Sequence, residues 1–156
     1  VDASIRWKGR MIFEGVADSG HPVTMDTARS VGGDDSAVQP MELFALGLAG
    51  CMGMDIISIL QKKQQNVADF QVKVHAERAA DYPKVFTRAL IELIVRGGNI
   101  EEAAVARAIQ LSSEKYCPAY AMLSRVFPIE LRYRIYEGEG ESPVFEGMYE
   151  PNPAGG

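Results

Sequence analysis

The stretch Gln39–Gln64, QPMELFALGLAGCMGMDIISILQKKQ, decides how the rest of the chain is read. No residue from Leu43 to Met54 is charged, and a helix apolar on every side has to be buried. Those twelve residues are too few to cross a bilayer, so burial inside protein is expected. Pro40 fits the first helical position, where its missing N–H is no loss, and Glu42 stands where a carboxylate caps free backbone N–H groups. Lys62 and Lys63 suit the C-terminal end of the helix dipole. Gly47, Gly50 and Gly53 recur every three residues on a helix where each costs about 1 kcal/mol relative to alanine. Close approach of another backbone is expected to compensate. Cys51 lies in this glycine row, too far past the first turn for the helix dipole to acidify it.

A chain of 156 residues is expected to form one domain, here 1–138, with a core that needs no metal or disulfide. A net charge of −5 offers no electrostatic footprint for nucleic acid or anionic lipid. The first ten residues, VDASIRWKGR, hold no continuous apolar run or cleavage site, and no stretch reads as a membrane span, so a cytoplasmic location is expected. Two cysteines outside any CxxC pair make no secreted disulfide framework.

Upstream of the central helix, Ala3–Thr27 alternates loosely, with a turn at Asp18-Ser19-Gly20, which predicts two or three antiparallel strands. RSVGGDDSAV, from Arg29 to Val38, reads as a loop whose Asp34-Asp35 pair is a solvated feature, since nothing nearby supplies further oxygen ligands. Downstream, Phe70–Glu77 alternates as a half-buried strand with His75 on its polar side. A turn at Asp81-Tyr82-Pro83 leads to a second strand over Val85–Val95, giving a hairpin that Gly97-Gly98 ends. Asn99 with Glu102 predicts a helix cap, and the helix is expected to reach about Lys115. Ile129–Tyr136 alternates as a last strand, and 139–156, rich in Gly, Pro and Glu, reads as a tail docked through Val144, Phe145 and Tyr149.

Chemistry is concentrated at the cysteines. Pro118 disfavours helical geometry at Cys117 and suits the start of a new helix, so Cys117 stands at a helix entrance, where free N–H groups are expected to lower its pKa. Spacing alone leaves two readings open. Cys51 is a small core residue and Cys117 a cap, or the two form a redox pair in which a thiolate attacks peroxide, an arginine stabilises it and the second thiol resolves the sulfenic acid. A zinc site from Cys51, Cys117, His21 and His75 has no characteristic spacing, so no metal is expected. No cofactor motif is present either.

QPMELFALGLAGCMGMDIISIL resembles the cysteine-bearing helix of the OsmC/Ohr family of thiol-dependent hydroperoxide-handling proteins, and SEKYCPAYAMLSR resembles that family's second cysteine segment. The order of strands and helices over Ala3–Tyr136 matches as well, and the helix wording is nearest the YhfA-type branch. The resemblance implies an α+β fold, with antiparallel sheets packed around long central helices in an intertwined homodimer whose active sites lie at the interface. It further implies that Cys51 attacks organic hydroperoxides and that Cys117 resolves its sulfenic acid. The resulting disulfide would be reduced by a small dithiol or a dihydrolipoyl group. The dipole reading favours Cys117 as the more acidic thiol; the family assignment is followed, because acidity alone does not decide access to substrate.

Two positions depart from the pattern. Ohr-type proteins place a glutamate ten positions before the first cysteine, and Met41 stands there, with Glu42 one residue on and turned by about 100°. Arg10 aligns best with the family's early-strand arginine, with Arg29 a weaker match. The expected site is therefore Cys51, Cys117, Arg10 and Glu42, walled by Phe44, Leu48, Met52 and Met54. The other reading is a family member without robust peroxidase activity that binds a small apolar ligand in the same pocket.

Overall fold

The computed structural model of the protein describes residues 1–150 and divides them into two compact units, Val1–Phe44 and the chain from Ala45 onward. In the first unit, β1 (Ala3–Gly9), β2 (Ile12–Ala17) and β3 (Val23–Met25) form an antiparallel meander, within the two or three strands expected. The loop that follows is organised by Asp26, a carboxylate only 2% exposed. It accepts hydrogen bonds from the backbone N–H groups of Thr27, Asp34 and Ser36 and from the Ser36 hydroxyl. These bonds hold its carboxyl down at about 2, led by the Ser36 hydroxyl and opposed by burial. Gly33 closes the loop: a Cβ there would run into the carbonyl of Thr27.

Helix α1 (Pro40–Lys62) opens on Pro40 as expected, and Glu42 is its cap, accepting from the Gln39 N–H at 2.8 Å. In the second unit its Leu48, Met52, Ile56 and Leu60 are buried, one row at the spacing that lines a single helix face. Each such side chain contributes about 1.5–3 kcal/mol by leaving water. Length is one correction to the sequence reading. At 23 residues, with a mean hydropathy of 2.0 over eighteen of them, α1 is long and apolar enough to cross a membrane by those two criteria alone. Counting only the uncharged Leu43–Met54 missed this, because Asp55 and the flanking residues do not lower the average enough.

The second sheet has the order β4 (Asn66–Arg78), β5 (Phe86–Gly98), β6 (Ile129–Glu137) and β7 (Phe145–Tyr149). β4 and β5 form the expected hairpin, with Val74 opposite Ile91 and His75 exposed. β5 and β6 run parallel, with Ile91 opposite Leu131 and Val95 opposite Ile135, so the chain between them must cross over. That crossover carries α2 (Glu102–Leu111) and α3 (Pro118–Leu123). Ile91, Leu93, Val95, Leu131 and Ile135 join the α1 row and Val105, Ala108 and Ile109 of α2 in one core.

Two local readings change. Asn99 does not cap α2: with φ of +53° it turns its N–H to the Glu137 carboxylate, and Glu101 precedes the helix instead. Residues 145–149, read as part of a tail, are a strand antiparallel to β6, with Phe145 opposite Ile135 and Tyr149 opposite Leu131. One face of a five-residue edge strand leaves too little alternation to register. Tail residues 151–156 lie outside the described residues.

Candidate active site

Cys51 and Asp55 are four residues apart on α1, so both side chains leave the helix on the same face. Cys117 comes from the crossover. After Leu111 the helix widens into a π-helical turn over Ser112–Tyr116, a geometry concentrated at functional sites. The turn ends at Cys117, whose extended backbone is what the following Pro118 demands. Cys117 is anchored on both sides: its N–H donates to the Ser112 carbonyl at 2.8 Å, and its sulfur accepts from the Tyr120 N–H at 3.3 Å. The sulfurs of Cys51 and Cys117 and a carboxylate oxygen of Asp55 all lie within 4.8 Å of one another. The Ser112 hydroxyl donates to Asp55 Oδ2 at 3.1 Å. Cys51 is half-buried and Cys117 is 2% exposed; both are free thiols.

The electrostatics reverse one expectation. Cys117 does cap α3, yet its thiol is pushed up to about 12, mainly by burial and then by the neighbouring Cys51 and, more weakly, Asp55. The single N–H from Tyr120 pulls the other way and loses. A helix of six residues offers little dipole, and the sequence could not reveal that its entrance is dry and shared with another thiol and a carboxylate.

The other expected residues are placed as follows. Arg10, in the N-terminal unit, pairs with Asp34 at 2.7 Å, and Arg29 Nε donates to the Asp34 carbonyl at 3.4 Å. Glu42 is engaged as the helix cap. Leu48 and Met52 belong to the core and present almost no surface, while Phe44 and Met54 are exposed. His21 and His75 are exposed and belong to no cluster with the cysteines. Asp55, Ser112 and the Tyr120 N–H were not anticipated. Asp55 had a signal, since it is the first charge after the uncharged run and sits at i+4 from Cys51. Ser112 had none, because its position depends on the π-helical turn. A cleft of about 350 Å³ reaches Asp55 from outside, lined also by Ser58, Ile59, Lys62, Lys63 and Tyr116.

A helix-borne cysteine meeting a second one from a β-α-β crossover, on this pair of sheets, defines the class. The OsmC-like protein family model matches residues 33–132, and the chain belongs to that family. It is 38% identical over 135 residues to Protein YhfA of Escherichia coli K12, covering 86% of this chain and 98% of that one. A solved hypothetical protein from Aquifex aeolicus VF5 superposes with a TM-score of 0.77 at 26% identity, covering 88% of this chain and 97% of its own. An organic hydroperoxide resistance protein, OsmC, from Legionella pneumophila shares the fold at a TM-score of 0.59 and 17% identity, with 88% and 95% covered.

Proposed function

We propose that the protein is a cytoplasmic thiol peroxidase acting on organic hydroperoxides. The observation that carries this reading is the Cys51–Cys117 pair, two free thiols of unequal burial within 4.8 Å of each other. The Cys51 thiolate attacks a peroxide oxygen, the O–O bond breaks, and the alkoxide leaves as an alcohol after taking a proton. The Cys51 sulfenic acid is then attacked by Cys117, releasing water and forming the disulfide. Asp55, hydrogen-bonded by Ser112, is placed to receive the proton that Cys117 has to lose. A small dithiol or dihydrolipoyl group returns both cysteines to thiols. On the family pattern Arg10 is the residue that supports the Cys51 thiolate; within its own unit it pairs with Asp34. Glu42 has no reacting role in this scheme, and the exposed Phe44 and Met54 meet the substrate.

The reading includes a homodimer. No apolar side chain of Val1–Phe44 is buried, while Ile5, Trp7, Phe44, Leu46 and Met54 are exposed. A Cβ at Gly47 or Gly50 would meet nothing within 4 Å, so their helix cost has no compensation within the chain. A second copy supplies the missing surface. Leu46→Glu is expected to shift the sedimentation coefficient from dimer to monomer.

The deciding experiment is turnover of cumene hydroperoxide with a dithiol for wild type, Cys51→Ser and Cys117→Ser, with intact mass after peroxide alone. Turnover lost in Cys51→Ser, and a two-hydrogen mass loss only when both cysteines are present, are expected. No turnover and no mass change would overturn the peroxidase. A second reading, a family member that binds a small apolar ligand without robust peroxidase activity, is favoured by the engagement of Glu42 as a cap and of Arg10 by Asp34.

A further inference from the structure

We propose that Cys51, Asp55 and Cys117 form a binding site for a thiophilic divalent cation, zinc above all, with a fourth position left for water. A tetrahedral zinc ion with bonds of ~2.3 Å to sulfur and ~2.1 Å to oxygen keeps its ligand atoms roughly 3.6–3.8 Å apart. The three ligand atoms here already lie within 4.8 Å of one another, a gap that small side-chain rotations close. Cys51 and Asp55 come from one helix face at i, i+4, a spacing that brings two side chains to one metal.

The surroundings fit as well. Ser112 holds Asp55 by Oδ2, which fixes the carboxylate and leaves its other oxygen for the ion. The Tyr120 N–H already points at the Cys117 sulfur, as outer donors to metal-bound thiolates do. Asp55 enters none of the ion pairs among the described residues, so no resident cation competes for it. Two thiolates and a carboxylate prefer zinc to magnesium or calcium, which take oxygen ligands. The cleft that reaches Asp55 gives the ion a way in.

Zinc and oxidation exclude each other at this site. A hydroperoxide takes two electrons from the zinc-bound thiolates and two protons from solvent, and leaves as alcohol and water. The sulfurs join as a disulfide and the zinc ion is released. This release step alone rests on the peroxidase reading.

The test uses the reduced full chain, titrated with Co²⁺ under anaerobic conditions and then displaced with Zn²⁺. One equivalent per chain is expected, with thiolate-to-cobalt charge-transfer absorption in the near ultraviolet and the intense visible bands of a tetrahedral site. Cys117→Ser should abolish the tight binding, and Asp55→Asn should weaken it by tenfold or more. Ser112→Ala, which leaves every ligand in place, should weaken it by about tenfold. Absence of charge-transfer absorption, or an affinity unchanged in both Asp55→Asn and Cys117→Ser with native circular dichroism, would overturn the site. Metal binding without peroxide turnover leaves this inference standing and removes the peroxidase; turnover without metal binding does the reverse.

Discussion

Cys117 should remain a thiol across the whole physiological range, and the Cys51→Ser variant isolates it for measurement. With its pKa near 12, the thiolate fraction at pH 7 is about 10⁻⁵, against about 3% for an unperturbed thiol with pKa ~8.5. The suppression is therefore about three orders of magnitude. Replacing Cys51 removes the second-largest cause of the shift but leaves burial, the largest, in place. The assay is the pH dependence of the cysteine ¹³Cβ resonance in labelled protein, which reports ionisation without requiring a reagent to reach a sulfur 2% exposed. The resonance is expected to keep its thiol position to about pH 10, well above the range of an ordinary cysteine. Stability follows with a defined sign. A raised pKa means that the folded state holds a proton the unfolded state releases, so stability is full below about pH 8.5 and falls as pH rises toward about 12. Titration of Cys117 below about pH 8 would show that the α3 entrance outweighs burial and would refute the reasoning.

Met52→Ala, at a core position with no exposure, should lower unfolding free energy by about 2–5 kcal/mol in urea denaturation. Asp26 should titrate at about 2 by its carboxyl ¹³C shift; because its pKa is lowered, its contribution is full above about pH 4 and is lost as pH falls through about 2. Gly33→Ala should cost about 1–3 kcal/mol in thermal or urea unfolding, since the added methyl has to displace the Thr27 carbonyl and the Asp26 carboxylate.

Elements with a strong period were legible in the sequence. Pro40 and Glu42 mark the start of α1 where it falls, and the alternation at Phe70–Glu77 and Ile129–Tyr136 gives two strands with their correct faces. Positions set by tertiary contact were not legible. Asn99 carries the residue type of a cap, but Glu137 claims its N–H from 38 residues away. The Gly47, Gly50 and Gly53 row is expected to meet another backbone, yet within the second unit only Gly53 faces neighbours, and these are the Val72 and Phe70 side chains. At the candidate site both cysteines and the Cys117 cap were visible, whereas the basicity of Cys117 was not. Burial is a property of what the rest of the chain stacks on a residue, and residues 112–120 show no sign of it.

The two sulfurs belong to α1 and to the far end of a crossover, 66 positions apart in the chain. During synthesis at roughly 5–20 residues per second, Cys51 precedes Cys117 by about 3–13 s. Throughout that interval it lacks its partner thiol, and for most of it the Ser112 that orients Asp55. The nascent chain thus carries a lone thiol on an apolar segment. Only after Cys117 has been made can the two sulfurs come within 4.8 Å of each other, so the order of translation fixes when a disulfide between them first becomes possible.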